Sequence, residues 1–372
     1  MKTKILVVVQ NISKAQEHEW YVEYINREKF DIQFLLINCK GTYMDQFLVS
    51  RNVPVFHLFY SSKSELPGLT FRIFKLLRKE KFDIIHTHLF EATLAGLTAA
   101  MLAGVSRRIY TRHHSDYHHV YFPSAVKYDK YNNFLATAIV AISRNVQHIL
   151  IDKENASASK VHLIHHGIDL SDYRPGAVEM KRVSAIKNKY DLNGPGPFIG
   201  AISRFTAWKG VQYIVPAFKE LLKEYPTAIL ILANANGDYK AEILDLLKEI
   251  NSEHVRLIQF ENDIAALYKS FDCFVHVPID SSSEAFGQTY IESLASQIPS
   301  VFTISGIAAE FIKDKVNAFV VPYKSSSAVK DAVLFVLNNK DSLSGMVEAG
   351  YEEVAAKFDI HIKISKLEQL YS

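Results

Sequence analysis

The stretch SSSEAFGQTYIESLASQIPS, from Ser281 to Ser300, sets two carboxylates, Glu284 and Glu292, on either side of a Phe-Gly pair. The run before it, FDCFVHVPID, reads as a strand ending near Val277, and a helix is expected to begin at about Gln288. Glu284 then lies in a loop at the carboxyl edge of a sheet. The backbone N–H groups of Phe286, Gly287, Gln288 and Thr289 fall at a helix start, whose donors have no intrahelical acceptor and attract phosphate. Glu292, about one turn further on, can accept hydrogen bonds from a ribose diol, and Glu284 from sugar hydroxyls or a developing positive charge. The plainer reading is that both are ordinary carboxylates near a helix N-terminus, which the macrodipole favours in any case.

A second candidate is ISRFTAWKGVQYIVPAF, residues 202–218. A strand is expected to end near Ser203, leaving Arg204 and Lys209 in a short loop before a helix. Two cations at the carboxyl end of a strand can neutralise a diphosphate, Arg as a planar fork and Lys as a point charge. Solvated loop charges are the alternative, and it weakens because this loop and the 281–289 loop leave one sheet on the same edge.

Short β-branched runs alternate with helix-like segments along the whole chain. The strand-like runs are 4–9, 31–37, 53–58, 82–88, 107–112, 137–143 and 161–165, then 197–203, 228–233, 255–260, 271–277, 299–303 and 318–322. They are nearly continuous in apolar residues, as strands covered on both faces are. Alternation with helices predicts two doubly wound parallel-sheet α/β domains. The Gly- and Pro-rich stretches 173–180 and 192–198 mark the break between them. Ligands of such sheets bind beyond the carboxyl ends of the strands, so the space between two facing domains is the expected active site.

The chain has 372 residues, 48% of them hydrophobic, and a formal charge of +2. That is enough for two cores and too balanced for nucleic acid as the main partner. Cys39 and Cys273, each in an apolar run, read as buried free thiols, in keeping with a reducing cytoplasm. No apolar run approaches the ~20 residues that span a bilayer; the nearest, 92–105, reads as a buried helix.

The order of SRFTAWKG and SSSEAFGQTYIESLASQIPSV, with IHHGIDLSDYRP (164–175) before them, resembles the retaining glycosyltransferases of family 4, glycosyl transferases group 1. The resemblance covers nearly the whole chain, and its most specific element is the pair of glutamates with seven residues between them. It implies the GT-B fold, two Rossmann-like domains facing across a cleft. Residues 1–175 would form the acceptor side, 176–196 a linker and 197–357 the nucleotide-sugar donor domain, with a helix at about 358–372 packing back on the first domain. By resemblance Arg204 and Lys209 hold the donor diphosphate, with the amides of Phe286, Gly287, Gln288 and Thr289. Glu284 contacts the donor sugar and Glu292 the ribose. The first domain's strand–helix–strand unit, 82–116, ends in the family's catalytic-site histidine. This maps onto His113, with His114 as the neighbouring register. His86 and His88 end the previous strand and are expected at the cleft edge. No cofactor and no metal is implied, and the histidine spacings do not form a clear ligand set.

The resemblance implies transfer from a UDP- or GDP-sugar to a hydroxyl acceptor with retention, a glycan or lipid-linked glycan of cell-surface polysaccharide synthesis being the expected acceptor. A nucleotide-sugar 2-epimerase of the same architecture, or a non-catalytic sugar-nucleotide binding protein, are the alternatives. A nicotinamide dehydrogenase is disfavoured, since no G-x-G-x-x-G follows either domain's first strand. Departures from the family fall at its glycine-containing turns, the one after the strand at 228–233 reading NANGD (234–238). The loop after the first strand, QNISKAQEHEW (10–20), has no glycine, so side chains must fill that space. His166 replaces the expected Asn before Gly167, and Gly306 stands alone where a pair is expected. A basic amphipathic stretch, 71–82, and an aromatic one, 116–123, could rest on an anionic membrane surface; a solvated helix face and a packed loop are the alternative. The protein is therefore expected in the cytoplasm, with peripheral contact at the inner face of the membrane.

Overall fold

The computed structural model describes residues 2–173, 176 and 178–372. Arg174, Pro175 and Ala177, in the motif 164–175 and the break 173–180, lie outside the described residues. The chain divides into two compact units, Met1–Gly167 with Ile360–Ser372, and Ile168–Asp359.

The first unit is built on seven strands: β1 (Thr3–Gln10), β2 (Phe30–Ile37), β3 (Val55–Leu58), β4 (Ile84–His88), β5 (Arg107–Arg112), β6 (Ala138–Ala141) and β7 (Val161–Leu163). Their order is β3-β2-β1-β4-β5-β6-β7, and every ladder is parallel. In β1, Ile5 to Val9 are at most 1% exposed, which explains the unbroken apolar run: helices cover both faces. The chain winds outward from β1 to β3, then returns to place β4 on the other side of β1. The carboxyl ends of β1 and β4 therefore flank the point where the winding reverses, the usual position of a ligand in such sheets.

The second unit repeats the plan with β8 (Phe198–Ile202), β9 (Ile229–Ala233), β10 (Val255–Ile258), β11 (Cys273–His276), β12 (Ser300–Phe302) and β13 (Phe319–Val320). The order is β10-β9-β8-β11-β12-β13, again parallel throughout, with the reversal between β8 and β11. Each of the thirteen apolar runs read from the sequence contains one of these strands or most of it.

Helix Ile360–Tyr371 belongs to the first unit and buries Ile360, Lys363, Ile364, Leu367 and Tyr371, the spacing of one helical face. The stretch 176–196, expected as a linker, carries helix Met180–Lys189 inside the second unit. Arg182 fixes that helix through a fork to both oxygens of Asp263, at 2.8 and 2.7 Å. Both cysteines are buried free thiols. Cys39 lies just beyond β2 rather than in a strand, and its Sγ accepts the N–H of Ile12. Among the described residues no helix is long and apolar enough to cross a membrane.

Candidate active-site elements

In the second unit, the loops after β8, β11 and β12 pack on one another at the reversal point. Gly210, at φ +77°, touches the end of β11 so closely that a Cβ there would stand 1.8 Å from the carbonyl oxygen of Val277. Gly306, at φ +56°, does the same beside Glu284, whose own Cβ would lie 2.8 Å away. Any side chain at either position would push the loops apart. The lone glycine after β12 thus lets that loop close on Glu284, whose N–H donates to Ser305 Oγ at 3.0 Å.

Glu284 is 6% exposed and sits between two donors. Lys209 Nζ donates to its Oε1 at 2.5 Å, and His276 Nε2 shares the same oxygen at 3.0 Å. Burial alone would raise this carboxyl, but Lys209 and His276 outweigh it and hold the group down at about 2. Glu284 is therefore ionised at any physiological pH, and Lys209 arrives already paired. Arg204, in the same loop as Lys209, is exposed, with no ion-pair partner for its side chain among the described residues. Thr206 Oγ1 and Ser283 Oγ, in the two loops, are buried without a hydrogen-bond partner.

Helix Gln288–Ala295 starts at the expected residue, after Gly287 at φ +88°, and no side chain caps it. Phe286 is buried, while Gln288 and Thr289 are half-buried in the first turn. Glu292 occupies a different environment from Glu284. It is 9% exposed, and its carboxyl accepts a hydrogen bond from Tyr268 Oη at Oε2, at 3.0 Å. Burial raises its carboxyl to about 7, against a smaller opposing effect of Tyr268. A folded-state value above the unfolded one means that stability from this site is complete below about pH 4.5 and is lost as pH rises through 7. Wild-type protein is expected to lose on the order of 3 kcal/mol relative to Glu292→Gln between pH 4.5 and 7.5. Urea unfolding of both proteins across that range measures it; parallel pH profiles would reject the assignment.

The first unit gathers a histidine cluster at its own reversal point. His86 and His88, at the end of β4, are buried at 2% and 5% exposure, since β4 is the central strand of the sheet. His113, half-buried after β5, shares a proton with His88, Nε2 to Nδ1, at 2.9 Å. His86 is held by Tyr371 Oη at 2.6 Å and Thr111 Oγ1 at 2.8 Å. His18 packs edge-on against His88. Burial is the main cause of low proton affinity throughout, lowering His18 to about 4 and His86 and His113 to about 3, so these rings are neutral near pH 7. The charges are carried by Glu17 and Lys363, paired at 2.6 Å, with His166 Nδ1 3.3 Å from each. Glu17 and His18 lie within the glycine-free stretch 10–20, in the first turn of helix Gln16–Tyr24.

Glu17, His113 and His166 bring ligand-type atoms within 4.8 Å of one another, as do His114, His118 and Asp129. In each set a cation is already built into the protein. Lys363 bonds Glu17 and His166, and Arg112 bonds Asp129 at 2.9 Å.

The structure thus brings Lys209 and Glu284 into contact, places Arg204 in the same loop, and gives Glu292 a separate partner. His113 belongs to the other unit. The sequence reading missed His276, Tyr268, Thr206 and Ser283, and in the first unit Glu17, His18 and Lys363. Of these, His276 alone carried a local signal, as the last residue of the strand before the Glu284 loop.

Two Rossmann-like parallel-sheet units, each with polar groups gathered where its winding reverses, are the architecture of the GT-B class. The family model described as Glycosyltransferase Family 4 matches residues 22–172, and that described as Glycosyl transferases group 1 matches 183–353. The chain belongs to this family and is a glycosyltransferase. It is 23% identical over 365 residues to the capsular polysaccharide biosynthesis glycosyltransferase CapM of Staphylococcus aureus, covering 94% of this chain and 92% of that one. It is 23% identical over 391 residues to an Escherichia coli UDP-Gal:alpha-D-GlcNAc-diphosphoundecaprenol alpha-1,3-galactosyltransferase, covering 99% and 95%. Among solved structures, Anabaena HepE in complex with UDP and glucose is similar in fold, with a TM-score of 0.85, 18% identity and 99% of each chain covered.

Proposed function

We propose that the protein moves a sugar from a nucleoside-diphosphate sugar to a hydroxyl of a glycan or lipid-linked glycan, with retention of anomeric configuration, in the assembly of a cell-surface polysaccharide. The observation that carries this reading is the Lys209–Glu284–His276 constellation, set beside exposed Arg204 and an uncapped helix start at the reversal point of the second sheet. As the glycosidic bond breaks, negative charge grows on the diphosphate. Arg204, Lys209 and the backbone of Phe286, Gly287, Gln288 and Thr289 stabilise it electrostatically. Glu284, fixed as an anion, accepts hydrogen bonds from the donor sugar. Glu292 accepts from the ribose, whose hydroxyls favour its ionised form. His113, neutral, hydrogen-bonds the sugar being transferred. By analogy with the family, the acceptor attacks from the front face, assisted by the leaving phosphate.

A UDP-sugar is the first donor to test, since the related HepE structures hold UDP and UDP-glucose. The acceptor class follows the relatives, whose names record capsular polysaccharide, a diphosphoundecaprenol-linked sugar and a diacylglycerol glycolipid. Contact with the cytoplasmic membrane face is part of the proposal. Helix Leu66–Glu80 buries Ile73 and Leu77 and turns Phe71, Arg72, Lys75, Arg78 and Lys79 outward, and Tyr121 and Phe122 are about half exposed.

Calorimetry with UDP, GDP and their sugars tests the reading, followed by transfer assays in which NMR reads the anomeric configuration of the product. Binding of one nucleoside diphosphate and a product with the donor's configuration are expected. An inverted product rejects the retaining mechanism, and an altered donor sugar formed without acceptor rejects transfer.

A further inference from the structure

A histidine at the rim of a site can turn about its side-chain bonds and offer either ring nitrogen to a ligand. His113, half-buried just beyond β5, is held against such turning. Its Nε2 lies 2.9 Å from Nδ1 of His88, the last residue of β4. Sheet register sets this contact. Parallel pairing puts His88 opposite Thr111, and His113 follows two residues on, on the same side of the chain. His88 is itself clamped. His18 meets its ring edge-on, with centroids 4.7 Å apart, and His86 lies against it at 4.5 Å. His86 is fixed at both nitrogens, by Tyr371 Oη and Thr111 Oγ1. Support for His113 thus runs from the returning helix through His86 to His88.

Two neutral imidazoles carry one ring N–H each, and a bond between them uses one of those protons. Burial holds His88 well below its ordinary proton affinity, with His86, His18 and His113 adding to the effect, and burial likewise lowers His113 to about 3. Near pH 7 the pair is therefore neutral and its tautomers are tied together. If His88 carries its proton on Nδ1, His113 accepts at Nε2 and holds its own proton on Nδ1. If His88 carries its proton on Nε2, His113 donates from Nε2 and leaves Nδ1 bare. In both cases Nδ1 is the nitrogen that His113 can offer a ligand. His88 decides whether that atom gives a hydrogen bond or accepts one. The plainer reading, a buried polar pair that only satisfies itself, gives His88 no such control.

We infer that His88 is the positioning residue of His113, locking the ring's rotation and tautomer so that Nδ1 alone meets the sugar being transferred. The inference rests on the glycosyl-transfer reading for what His113 touches, while the lock itself belongs to the ligand-free protein. Long-range proton–nitrogen NMR on protein with isotope-labelled histidine tests it, His113→Gln identifying the His113 signals. Two variants are compared with wild type: His88→Leu, which keeps bulk and removes both nitrogens, and His88→Asn, which returns an amide near the place of Nδ1. Near pH 7 the wild-type His113 ring should show one protonated and one bare nitrogen. In His88→Leu the two should average toward a common signal, and in His88→Asn the fixed pattern should return. In the transfer assay kcat should fall about tenfold in His88→Leu, since a freed ring is seldom in position, with the donor KM within about twofold; His88→Asn should recover most of the rate. Averaged His113 nitrogens in the wild type overturn the lock whatever the variants do. A single fixed tautomer in His88→Leu, or a kcat within twofold of wild type, also overturns it. Bound UDP-glucose separates the two readings. If it leaves the His113 signals unmoved, the contact assigned by the transfer reading is wrong and the inference falls with it. If it moves them while the ring nitrogens are averaged, His88 alone is rejected.

Discussion

Glu284→Gln is expected to lower the rate of sugar transfer by a factor on the order of 10²–10³, the usual effect of removing one preorganised polar contact from a transition state. Nucleoside diphosphate binding should stay the same or tighten. In the wild type, Lys209 Nζ lies 2.5 Å from Glu284 Oε1, so much of its charge is neutralised before any ligand arrives. Glutamine keeps the shape and releases that charge toward a diphosphate. His276 can still donate to the amide oxygen, which keeps the loop in place. Single-turnover rates and calorimetry on the same protein check both parts. Transfer within twofold of wild type would remove Glu284 from the reaction, and loss of nucleotide binding together with transfer would make its role structural.

Arg112→Met is expected to cost about 3–5 kcal/mol of stability, because two buried carboxylates lose their cation at once. Asp129 and Glu154 have side chains 1% and 0% exposed. Their other partners include His118 at 2.6 Å and His114 at 3.7 Å from Asp129, and Asn133 at 2.8 Å and His119 at 3.3 Å from Glu154. None of these carries a fixed charge. The triple variant Arg112→Met, Asp129→Asn, Glu154→Gln should recover most of the loss, since no uncompensated charge remains. Urea unfolding measures both variants. A loss below about 1 kcal/mol in the single variant would mean that water reaches these carboxylates.

The fold was legible in the sequence because the strands are covered on both faces. Ile5–Val9 and Ile229–Ala233 leave no polar position to confuse the reading, and in β6 only the ends were overdrawn, Thr137 and Ser143 lying outside Ala138–Ala141. In the second unit, Arg204, Lys209 and Glu284 stand out by residue type in the loops that follow two strands, β8 and β11. Their partners do not. His276 looks like any strand residue until the loop after β11 folds back on it. In the first unit Lys363 meets Glu17 across 346 positions, and Tyr371 meets His86 across 285. No local pattern encodes such pairs; sheet order and the returning helix create them. Lys363 even occupies an apolar stripe, where periodicity favours a hydrophobic residue.

The returning helix also sets a timetable for synthesis. Domains usually fold from the N-terminus as they leave the ribosome. Here the first unit cannot close in that order, because its core takes in Ile360, Ile364, Leu367 and Tyr371, which are translated only after the whole of Ile168–Asp359. Until they emerge, an oily groove on the nascent first unit stands open, and Glu17 waits without its ammonium partner. The later-made unit is the one able to mature first.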